Sequence, residues 1–184
     1  CAGLEAVLER RDAFTSHHQD TGQVAWANGA GIGVVRGPGR LAGEKRVEVT
    51  AADGSVRTVT ARHAVVLATG TTAAVPDLPG LRDARPWTSR DVTNVHEIPR
   101  RVAVIGGGVV ACESACWLRG LGVEELTIIV RGGGLLERNE PFAGELVAQA
   151  FRDDGVRVLL DTGVERVVRA DAAGTGEGRI HGGE

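Results

Sequence analysis

Hydrophobic residues follow two periodicities in the first third of the chain. From Leu4 to Phe14 they recur at helical spacing, which predicts an amphipathic helix. Within 46–60 they alternate with polar residues, as in strands with one exposed face. We predict strands over 31–35, 46–50 and 56–61, and we expect the last two to pair as an antiparallel ribbon around a turn at 52–54.

An uninterrupted apolar segment, Ala64–Ala68, follows the ribbon. Its lack of polar positions is typical of a strand buried on both faces in the middle of a sheet. It leads into Thr69-Gly70, at the carboxyl end of the strand, where open α/β sheets bind their ligands. The next residues are rich in proline and have little periodicity, so we expect a domain boundary here, with domains over 1–75 and 76–184.

The remainder of the chain alternates short apolar runs with amphipathic segments, which is the pattern of a parallel α/β sheet. We predict parallel strands over 102–105, 126–130 and 156–160, the first of them buried on both faces, and helices over 109–121 and 141–154. Residues 164–168 begin another ribbon. A strand near Arg179 is expected to have no partner or helix after it.

A glycine-rich turn joins the first of these strands to the first helix. Gly106, Gly108 and Ala111 occupy the small positions of the pattern G-x-G-x-x-G/A. The first allows a sharp turn, the second lets a pyrophosphate approach the backbone, and the third keeps the helix close to the sheet. The free N–H groups of the helix would face the diphosphate. This context indicates a Rossmann-like dinucleotide-binding domain, and the alternative is a packing turn in an unrelated α/β sheet.

The composition excludes several other classes of protein. The chain has 184 residues, a net charge of -3 and 3% aromatic residues, so it lacks the basic face and the stacking platforms of a nucleic-acid-binding protein. No apolar run reaches the roughly 18 residues of a membrane-spanning helix. We therefore expect a cytoplasmic protein without a nucleic-acid or membrane partner. The sequence contains no methionine and begins at Cys1, and we interpret it as an internal piece of a longer polypeptide.

The cysteines Cys1, Cys112 and Cys116 do not have the spacing of a zinc site or of a disulfide framework, and we predict no metal site. Cys112 and Cys116 lie four residues apart on one helical face, where a redox pair could form. We favour the other interpretation, two small buried residues that pack the helix on the sheet, because free cysteine is among the most buried residue types.

Three motifs resemble one enzyme family, in the same order along nearly the whole chain. They are Ala-Thr-Gly at 68–70, Val-Ile-Gly-Gly-Gly-Val-Val-Ala-Cys-Glu at 104–113, and Arg-Gly-Gly-Gly-Leu-Leu at 131–136 followed by Glu140-Pro141. They resemble the FAD-dependent pyridine nucleotide-disulfide oxidoreductases, the group of dihydrolipoamide dehydrogenase, glutathione reductase and mercuric reductase. In that family an FAD-binding domain is interrupted by an NAD(P)-binding domain. The resemblance implies that residues 1–75 end the first half of an FAD-binding domain and that 76–184 form most of the NAD(P)-binding domain, truncated at its C-terminus.

The resemblance also implies a set of cofactor-binding residues. It places Ala68, Thr69 and Gly70 by the flavin and Gly39 near the adenine of FAD. For the nicotinamide dinucleotide it implies that the turn and the start of the helix form the cradle, with the residues Gly106, Gly107, Gly108, Val109, Val110, Ala111 and Glu113. Glu113 would lie near the nicotinamide, and Val164 would back the adenine. Another interpretation of Glu113 is a first-turn acid that the helix dipole alone favours.

The end of the second parallel strand bears on the choice of nicotinamide cofactor. NAD-preferring members of the family carry a carboxylate there, which accepts hydrogen bonds from the ribose hydroxyls. Here Val130 fills that position and Arg131 follows, a cation that can pair with a 2'-phosphate. This resembles the NADPH-using branch, although Glu137 stands where that branch usually has a second basic residue. We therefore expect NAD(P)H with a preference for NADPH.

The sequence lacks the family's N-terminal FAD fingerprint, its redox-active cysteine pair and its C-terminal dimerisation domain. We therefore predict no catalytic residue and expect this section to be inactive alone. We interpret it as the central section of a homodimeric flavoprotein that transfers a hydride from NAD(P)H to FAD and on to a small-molecule or protein disulfide acceptor. The alternatives are an NAD(P)H oxidase, transhydrogenase or ferredoxin reductase without redox cysteines, and a non-catalytic dinucleotide-sensing module.

Overall fold

The fold is a mixed α/β structure in two compact units. The computed structural model describes residues 3–169 and 178–181. One unit comprises the described residues up to Thr71 and the other those from Thr72 onward. In this part of the chain no helix has the length and the apolar character needed to cross a bilayer. The assignment of the two units to FAD-binding and NAD(P)-binding domains stays a prediction.

The described residues of the first unit form two helices and one antiparallel sheet. A 3-10 turn over Ser16–His18 separates the helices, which are α1 (Leu4–Phe14) and α2 (Thr21–Gly29). The sheet has the order β1-β2-β3, with β1 at Gly39–Leu41, β2 at Arg46–Thr50 and β3 at Val56–Thr60. The structure confirms the predicted helix α1 and the β2–β3 ribbon, whereas the sequence pattern does not predict α2 or β1. Helix α1 buries none of its residues.

The turn between β2 and β3 is shaped by Asp53 and Gly54. The carboxylate of Asp53 accepts hydrogen bonds from the hydroxyl of Ser55 at 2.7 Å and from its backbone N–H at 2.9 Å. These bonds hold the pKa of the Asp53 carboxyl below its usual range. Gly54 has φ +83, a left-handed conformation that glycine adopts without a steric penalty.

Two predicted strands of this unit are wrong. Ala64–Ala68 has no regular secondary structure, and Val66 and Leu67 are 83% and 67% exposed. A strand exists only through hydrogen bonds to a neighbouring strand, and among the described residues none pairs with this segment. Residues 31–35 are unpaired in the same way, so this run of glycine, isoleucine and valine does not form a strand.

The second unit contains a parallel sheet with the order β4-β5-β6. Its strands are β4 (Arg101–Ile105), β5 (Glu125–Ile129) and β6 (Arg157–Leu159). A short helix α3 (Ser89–Thr93) precedes the sheet, α4 (Val109–Gly120) connects β4 to β5, and α5 (Pro141–Asp153) connects β5 to β6. The structure thus confirms the predicted α/β fold class and the βαβ unit around the glycine-rich turn.

The core of this unit lies between β5 and the two long helices. Leu126, Ile128 and Val130 share one face of the sheet and are 2%, 0% and 5% exposed. They belong to a buried cluster whose helical members are Cys112, Ala115, Leu118, Ala148 and Phe151. The other face is less covered, since Ile105 at the end of β4 is 39% exposed. The prediction that this strand is buried on both faces is therefore wrong, because Arg101, Ala103 and Ile105, which share this face, are all exposed.

Helices α4 and α5 both end in the same glycine motif. Gly122 and Gly155 have φ values of +110 and +77. After Gly122 the N–H of Val123 donates to the carbonyl of Leu118 at 3.1 Å, which is the Schellman pattern of a helix C-terminus, and the end of α5 repeats it. A glycine thus terminates each helix directly after the predicted helix ends at 121 and 154.

One side chain connects the two helix ends. The guanidinium of Arg119 donates to the carbonyls of Val123 at 2.8 Å and Glu124 at 3.2 Å, after the end of α4, and to that of Asp154 at 3.1 Å, at the end of α5. A cation at this place is favourable because helix C-termini carry unsatisfied carbonyls and the negative end of the dipole. The contact lies at the edge of the sheet opposite the glycine-rich turn.

A second antiparallel ribbon completes the unit. It pairs β7 (Arg166–Arg169) with β8 (Gly178–His181). This confirms the prediction that a ribbon begins near 164–168, and the strand near Arg179 is its second strand. The beginning of this unit packs on β7, since the N–H of Val167 donates to the carbonyl of Pro79 at 2.9 Å.

Candidate dinucleotide-binding site

The glycine-rich turn lies at the carboxyl end of β4, where the parallel sheet meets the N-terminus of α4. The N–H of Gly106 still donates to the carbonyl of Ile129 on β5, at 2.9 Å. Its φ of +118 then turns the chain out of the sheet. Two residues later Gly108 is the N-cap of α4. The turn therefore joins strand and helix in the way that the sequence motif predicts.

The three consecutive glycines have different surroundings. A Cβ at Gly107 would lie 2.9 Å and 3.0 Å from the two methyl carbons of Val130, and 3.2 Å from a methyl carbon of Leu135. A Cβ at Gly106 or Gly108 would have no neighbour within 4 Å. Gly107 is thus the packed floor of the turn, whereas Gly106 and Gly108 leave the backbone open to an approaching ligand.

The first amides of α4 are free to bind such a ligand. The N–H of Cys112 donates to the carbonyl of Gly108 at 3.0 Å, but the N–H groups of Val109, Val110 and Ala111 have no acceptor in the described part of the chain. Val109 and Val110 are 52% and 58% exposed. Unsatisfied amides at the positive end of a helix dipole favour an anion, and a diphosphate has the right charge.

Cys112 supports the turn from the inside of the helix. Its sulfur lies 3.8 Å from the carbonyl oxygen of Gly107, towards which the thiol donates. Burial, and after it the charge of Glu113, raise the pKa of this thiol, so it keeps its proton at neutral pH. Cys116 is exposed. The prediction that both cysteines pack the helix is therefore right for Cys112 and wrong for Cys116, which lies on the outer side of α4.

The loop after β5 forms the second wall of the site. The N–H of Leu136 donates to the carbonyl of Gly107 at 2.8 Å, which fixes the loop to the turn. The N–H of Thr162 donates to the carbonyl of Val130 at 2.9 Å, so the segment after β6 joins the same edge. Backbone hydrogen bonds therefore hold the carboxyl ends of all three parallel strands together.

Arg131 supplies the positive charge at the end of β5. Its side chain is exposed, and it makes no ion pair or hydrogen bond with another residue in the described ranges 3–169 and 178–181. Val130 beside it is 5% exposed and belongs to the core, so it cannot contact a ribose. The first side chain after β5 that a ligand can reach is therefore a free cation.

Glu137 returns to this strand end, which the sequence does not predict. Its carboxylate occupies the space where a side chain on Gly132 would begin, and its carboxyl carbon would lie 2.6 Å from that Cβ. Gly132 directly follows Arg131, so the positive side chain of Arg131 and the negative side chain of Glu137 flank the same short stretch of backbone. Three successive glycines indicate a flexible loop. They do not predict the contact of Glu137 with Gly132, because that contact depends on how the loop folds back.

The structure brings together the predicted residues of the NAD(P) side. The turn, the start of α4 and the end of β5 lie at one edge of the parallel sheet. Val164 follows β6 at the same edge, and it is buried, with 9% of its surface exposed. Glu113 is the fifth residue of α4, whose first turn contains no acid. Its interpretation as a first-turn acid is therefore wrong, and its place near the nicotinamide stays a prediction.

The residues predicted to contact FAD lie in the first unit. Gly39 belongs to β1 and is paired with Val49. A Cβ on Gly39 would lie at an ordinary 3.6 Å from a methyl carbon of Val47, while Gly70, with φ +68, has open space around it. Ala68, Thr69 and Gly70 follow the segment that has no strand partner. The described residues of this unit do not by themselves form a cradle for a flavin, in contrast to the glycine-rich turn.

Comparison with known proteins identifies the family. Residues 3–181 match the pyridine nucleotide-disulphide oxidoreductase family. The chain belongs to this family. It is 40% identical over 152 residues to the mercuric reductase of Acidithiobacillus ferrooxidans, an alignment that covers 81% of this chain and 27% of that protein. It is 30% identical over 164 residues to the dihydrolipoyl dehydrogenase of Chlamydia trachomatis, covering 88% of this chain and 34% of that protein. The chain thus spans between a quarter and about a third of the length of these relatives.

A solved structure has the same fold. The Cu(II) complex of the HOCl-induced flavoprotein disulfide reductase RclA of Escherichia coli aligns with a TM-score of 0.79 at 20% identity, over 98% of this chain and 39% of that one. At this identity the likeness extends to the fold. It confirms the fold class.

Proposed function

We propose that the chain is the NAD(P)H-binding section of a flavoprotein oxidoreductase, which transfers a hydride from NAD(P)H to FAD and on to a disulfide or related acceptor. Membership of the family and similarity to mercuric reductases and a dihydrolipoyl dehydrogenase support this class of reaction. In the whole enzyme the nicotinamide would supply the hydride and the flavin would carry the electrons to the acceptor. The part of this chain is to bind and orient the dinucleotide.

The observation that carries the proposal is the arrangement of the turn at the end of β4. Gly106 and Gly108 leave the backbone open. The unpaired N–H groups of Val109, Val110 and Ala111 present partial positive charge at the adjoining N-terminus of α4. Gly107 fixes the floor against the core. A diphosphate fits an open turn with unsatisfied donors at a helix N-terminus.

Other residues of the chain would hold the remaining parts of the cofactors. Val164, after β6, would back the adenine of the dinucleotide, and Glu113 would lie near the nicotinamide. Gly39 and the segment Ala68, Thr69 and Gly70 would contact FAD together with residues of the rest of the enzyme. No described residue is assigned a covalent or proton-transfer role.

The free cation at the end of β5 favours NADPH. Arg131 is exposed and unpaired among the described residues, so its guanidinium can form a charge-assisted pair with a 2'-phosphate. The buried Val130 cannot supply the carboxylate that selects NAD in Rossmann-like domains. We therefore propose NADPH as the preferred of the two coenzymes.

Titration of NADPH and NADH against the wild-type chain and Arg131→Glu tests this proposal. We expect the charge reversal to weaken NADPH and to leave NADH little changed, so the ratio of the two dissociation constants moves towards NADH. Arg157→Glu is the matched control, because Arg157 is an exposed arginine at the opposite end of the sheet, at the start of β6. If Arg131→Glu and Arg157→Glu give the same ratio of the dissociation constants of NADPH and NADH, the cofactor assignment is wrong.

A further inference from the structure

A cavity of about 420 Å³ lies beside the short helix α3. Residues between Trp87 and Pro99 line it, and the chain enters β4 shortly after them, at Arg101. The cavity is therefore next to the amino end of β4, whereas the glycine-rich turn follows its carboxyl end. Its volume is within the range of small-molecule binding sites, and the proposed binding of the dinucleotide does not use it.

The apolar side of the cavity is anchored in the core. Val95 is 6% exposed, and Ile98 packs against the buried cluster of the second unit. Trp87 is 45% exposed, so part of its indole is open to a ligand. An aromatic ring attracts a cation to its face, because the ring quadrupole is negative there.

Two carboxylates line the same cavity, those of Asp91 and Glu97. The N–H and the hydroxyl of Thr88 both donate to Oδ2 of Asp91, at 2.7 Å and 2.8 Å, and these bonds hold the pKa of the Asp91 carboxyl below its usual range. The other oxygen, Oδ1, has no hydrogen-bond partner within residues 3–169 and 178–181, and neither has the exposed carboxylate of Glu97. Both carboxylates can therefore accept hydrogen bonds from a ligand.

The cavity lacks a positive side chain that would balance these carboxylates. Neither an arginine nor a lysine is among the described residues of its wall, in which His96 is the other ionisable group. Arg90 lies outside the wall, and Arg100, which follows it, donates to the carboxylate of Glu124 at 2.6 Å. A ligand that carries a positive charge therefore suits the cavity.

An organic cation suits the cavity better than a metal ion. In the described part of the chain no three His, Cys, Asp or Glu side chains are grouped as metal ligands. A guanidinium group is planar, so it stacks on an aromatic face and donates two parallel hydrogen bonds to a carboxylate, and it is more weakly hydrated than an ammonium group. The apolar surface of Val95 and Ile98 can contact an alkyl stem.

We propose that the cavity between Trp87 and Pro99 binds a small organic cation with a guanidinium head and an alkyl stem, held by the indole of Trp87 and the carboxylates of Asp91 and Glu97. The inference goes beyond the proposed function and is independent of it, because the cavity and the glycine-rich turn lie at opposite ends of β4.

The probes are butylguanidinium and butylurea, which have nearly the same shape and differ in charge. The isotope-labelled chain of 184 residues is titrated at pH 8, at which histidine is ordinarily neutral, and binding is followed through the indole N–H signals in NMR. The chain has three tryptophans, so Trp26 and Trp117 are internal controls. We expect butylguanidinium to shift the signal of Trp87 until it saturates, and butylurea to leave it unchanged.

A guanidinium head can come from a free small molecule or from an arginine side chain of a peptide. The peptide acetyl-Gly-Arg-Gly-amide presents the same head on a peptide backbone. Binding of either compound at Trp87 supports the proposal, and the tighter of the two identifies the source.

Two variants remove the groups that would hold the cation, and each has a matched control. Glu97→Gln removes one negative charge, and Glu145→Gln does so at an exposed acid of α5 outside the cavity wall. Trp87→Leu removes the aromatic face, and Trp26→Leu removes an exposed indole of the first unit. We expect Glu97→Gln and Trp87→Leu each to raise the dissociation constant of butylguanidinium by about threefold, a size typical of exposed charge and cation–π interactions. The two controls should leave it unchanged, and the backbone N–H of Ile98 reports binding in Trp87→Leu.

Three results would overturn the inference. Equal affinities for butylguanidinium and butylurea would show that the cavity does not recognise the charge. Equal effects of Glu97→Gln and Glu145→Gln would show that the carboxylate of Glu97 does not hold the ligand. The proposal also fails if neither guanidinium compound shifts the signal of Trp87 in a wild-type chain that is folded by circular dichroism. The binding of 5'-ADP at the glycine-rich turn does not depend on any of these results, so the proposed function is tested separately.

Discussion

Gly107 and Val130 are in contact across the sheet: the Cβ that Gly107 lacks would lie 2.9 Å from Cγ1 of Val130. Val130 is 5% exposed and belongs to the core cluster, so it has no free space to move into. The floor of the turn is therefore fixed by the packing of β5. Only the glycines on either side of Gly107 present open backbone to a ligand.

Replacing Gly107 should destabilise the fold. We expect Gly107→Ala to lower the free energy of unfolding by about 1–3 kcal/mol, because the new methyl overlaps Val130 in a packed core. Urea unfolding of Gly107→Ala, Val130→Ala and the double variant measures the effect. The loss in the double variant should be smaller than the sum of the two single losses, by about 0.5 kcal/mol or more, because the smaller residue at 130 makes room for the new methyl group. Strict additivity would show that the two residues are not in contact.

The link between Arg119 and the two helix ends should stabilise the unit at the opposite edge of the sheet. Arg119→Met removes the donor to three backbone carbonyls, so we expect a loss of about 1–3 kcal/mol in the free energy of unfolding. Asp154→Asn should cost less than about 0.5 kcal/mol, because the Asp154 carboxylate is 65% exposed and 3.5 Å from Nε of Arg119, while its carbonyl remains as acceptor. Equal losses in chemical denaturation would mean that the ion pair, and not the carbonyl contacts, holds the helix ends.

The two cysteines of α4 should differ in reactivity. Burial and the charge of Glu113 raise the pKa of Cys112, so at any pH near neutrality a smaller fraction of it is thiolate. We expect iodoacetamide to alkylate the exposed Cys116 faster than the buried Cys112, and the rate at Cys112 to reach its plateau at a higher pH in the folded chain than after unfolding. Mass spectrometry of peptides from a pH series resolves the two sites, and unfolding in urea should make the rates similar. Equal rates in the folded chain would show that the thiol of Cys112 is not shielded.

The sequence predicts those parts of the fold that depend on neighbouring residues in the chain. The unit from β4 to β5 is predicted closely because the turn glycines, the capping position and Gly122 act within a few residues of the elements they delimit. Ala64–Ala68 fails because a buried strand requires partners that lie elsewhere, and an apolar run does not identify them. The ribbon that includes the strand near Arg179 is predicted more closely, since its partner β7 is the previous strand in the chain.

In the candidate site, too, the sequence predicts the features that depend on neighbouring residues and misses those that depend on distant ones. The positions of Gly106, Gly108 and Ala111 follow from local geometry, which a motif encodes. The seat of Glu137 against Gly132 depends on the path of the whole loop between β5 and α5, and a run of glycines permits many such paths. The place of its carboxylate can therefore be recognised only from the structure.

The most direct test of the account is a titration of the isotope-labelled chain with 5'-ADP, followed through the backbone amide signals in NMR. If the turn receives a diphosphate, the largest shifts belong to the N–H groups of Gly108, Val109, Val110 and Ala111, and they saturate together with a single dissociation constant. If ADP leaves these signals unchanged and shifts others, the diphosphate does not bind at the turn and the central claim is wrong.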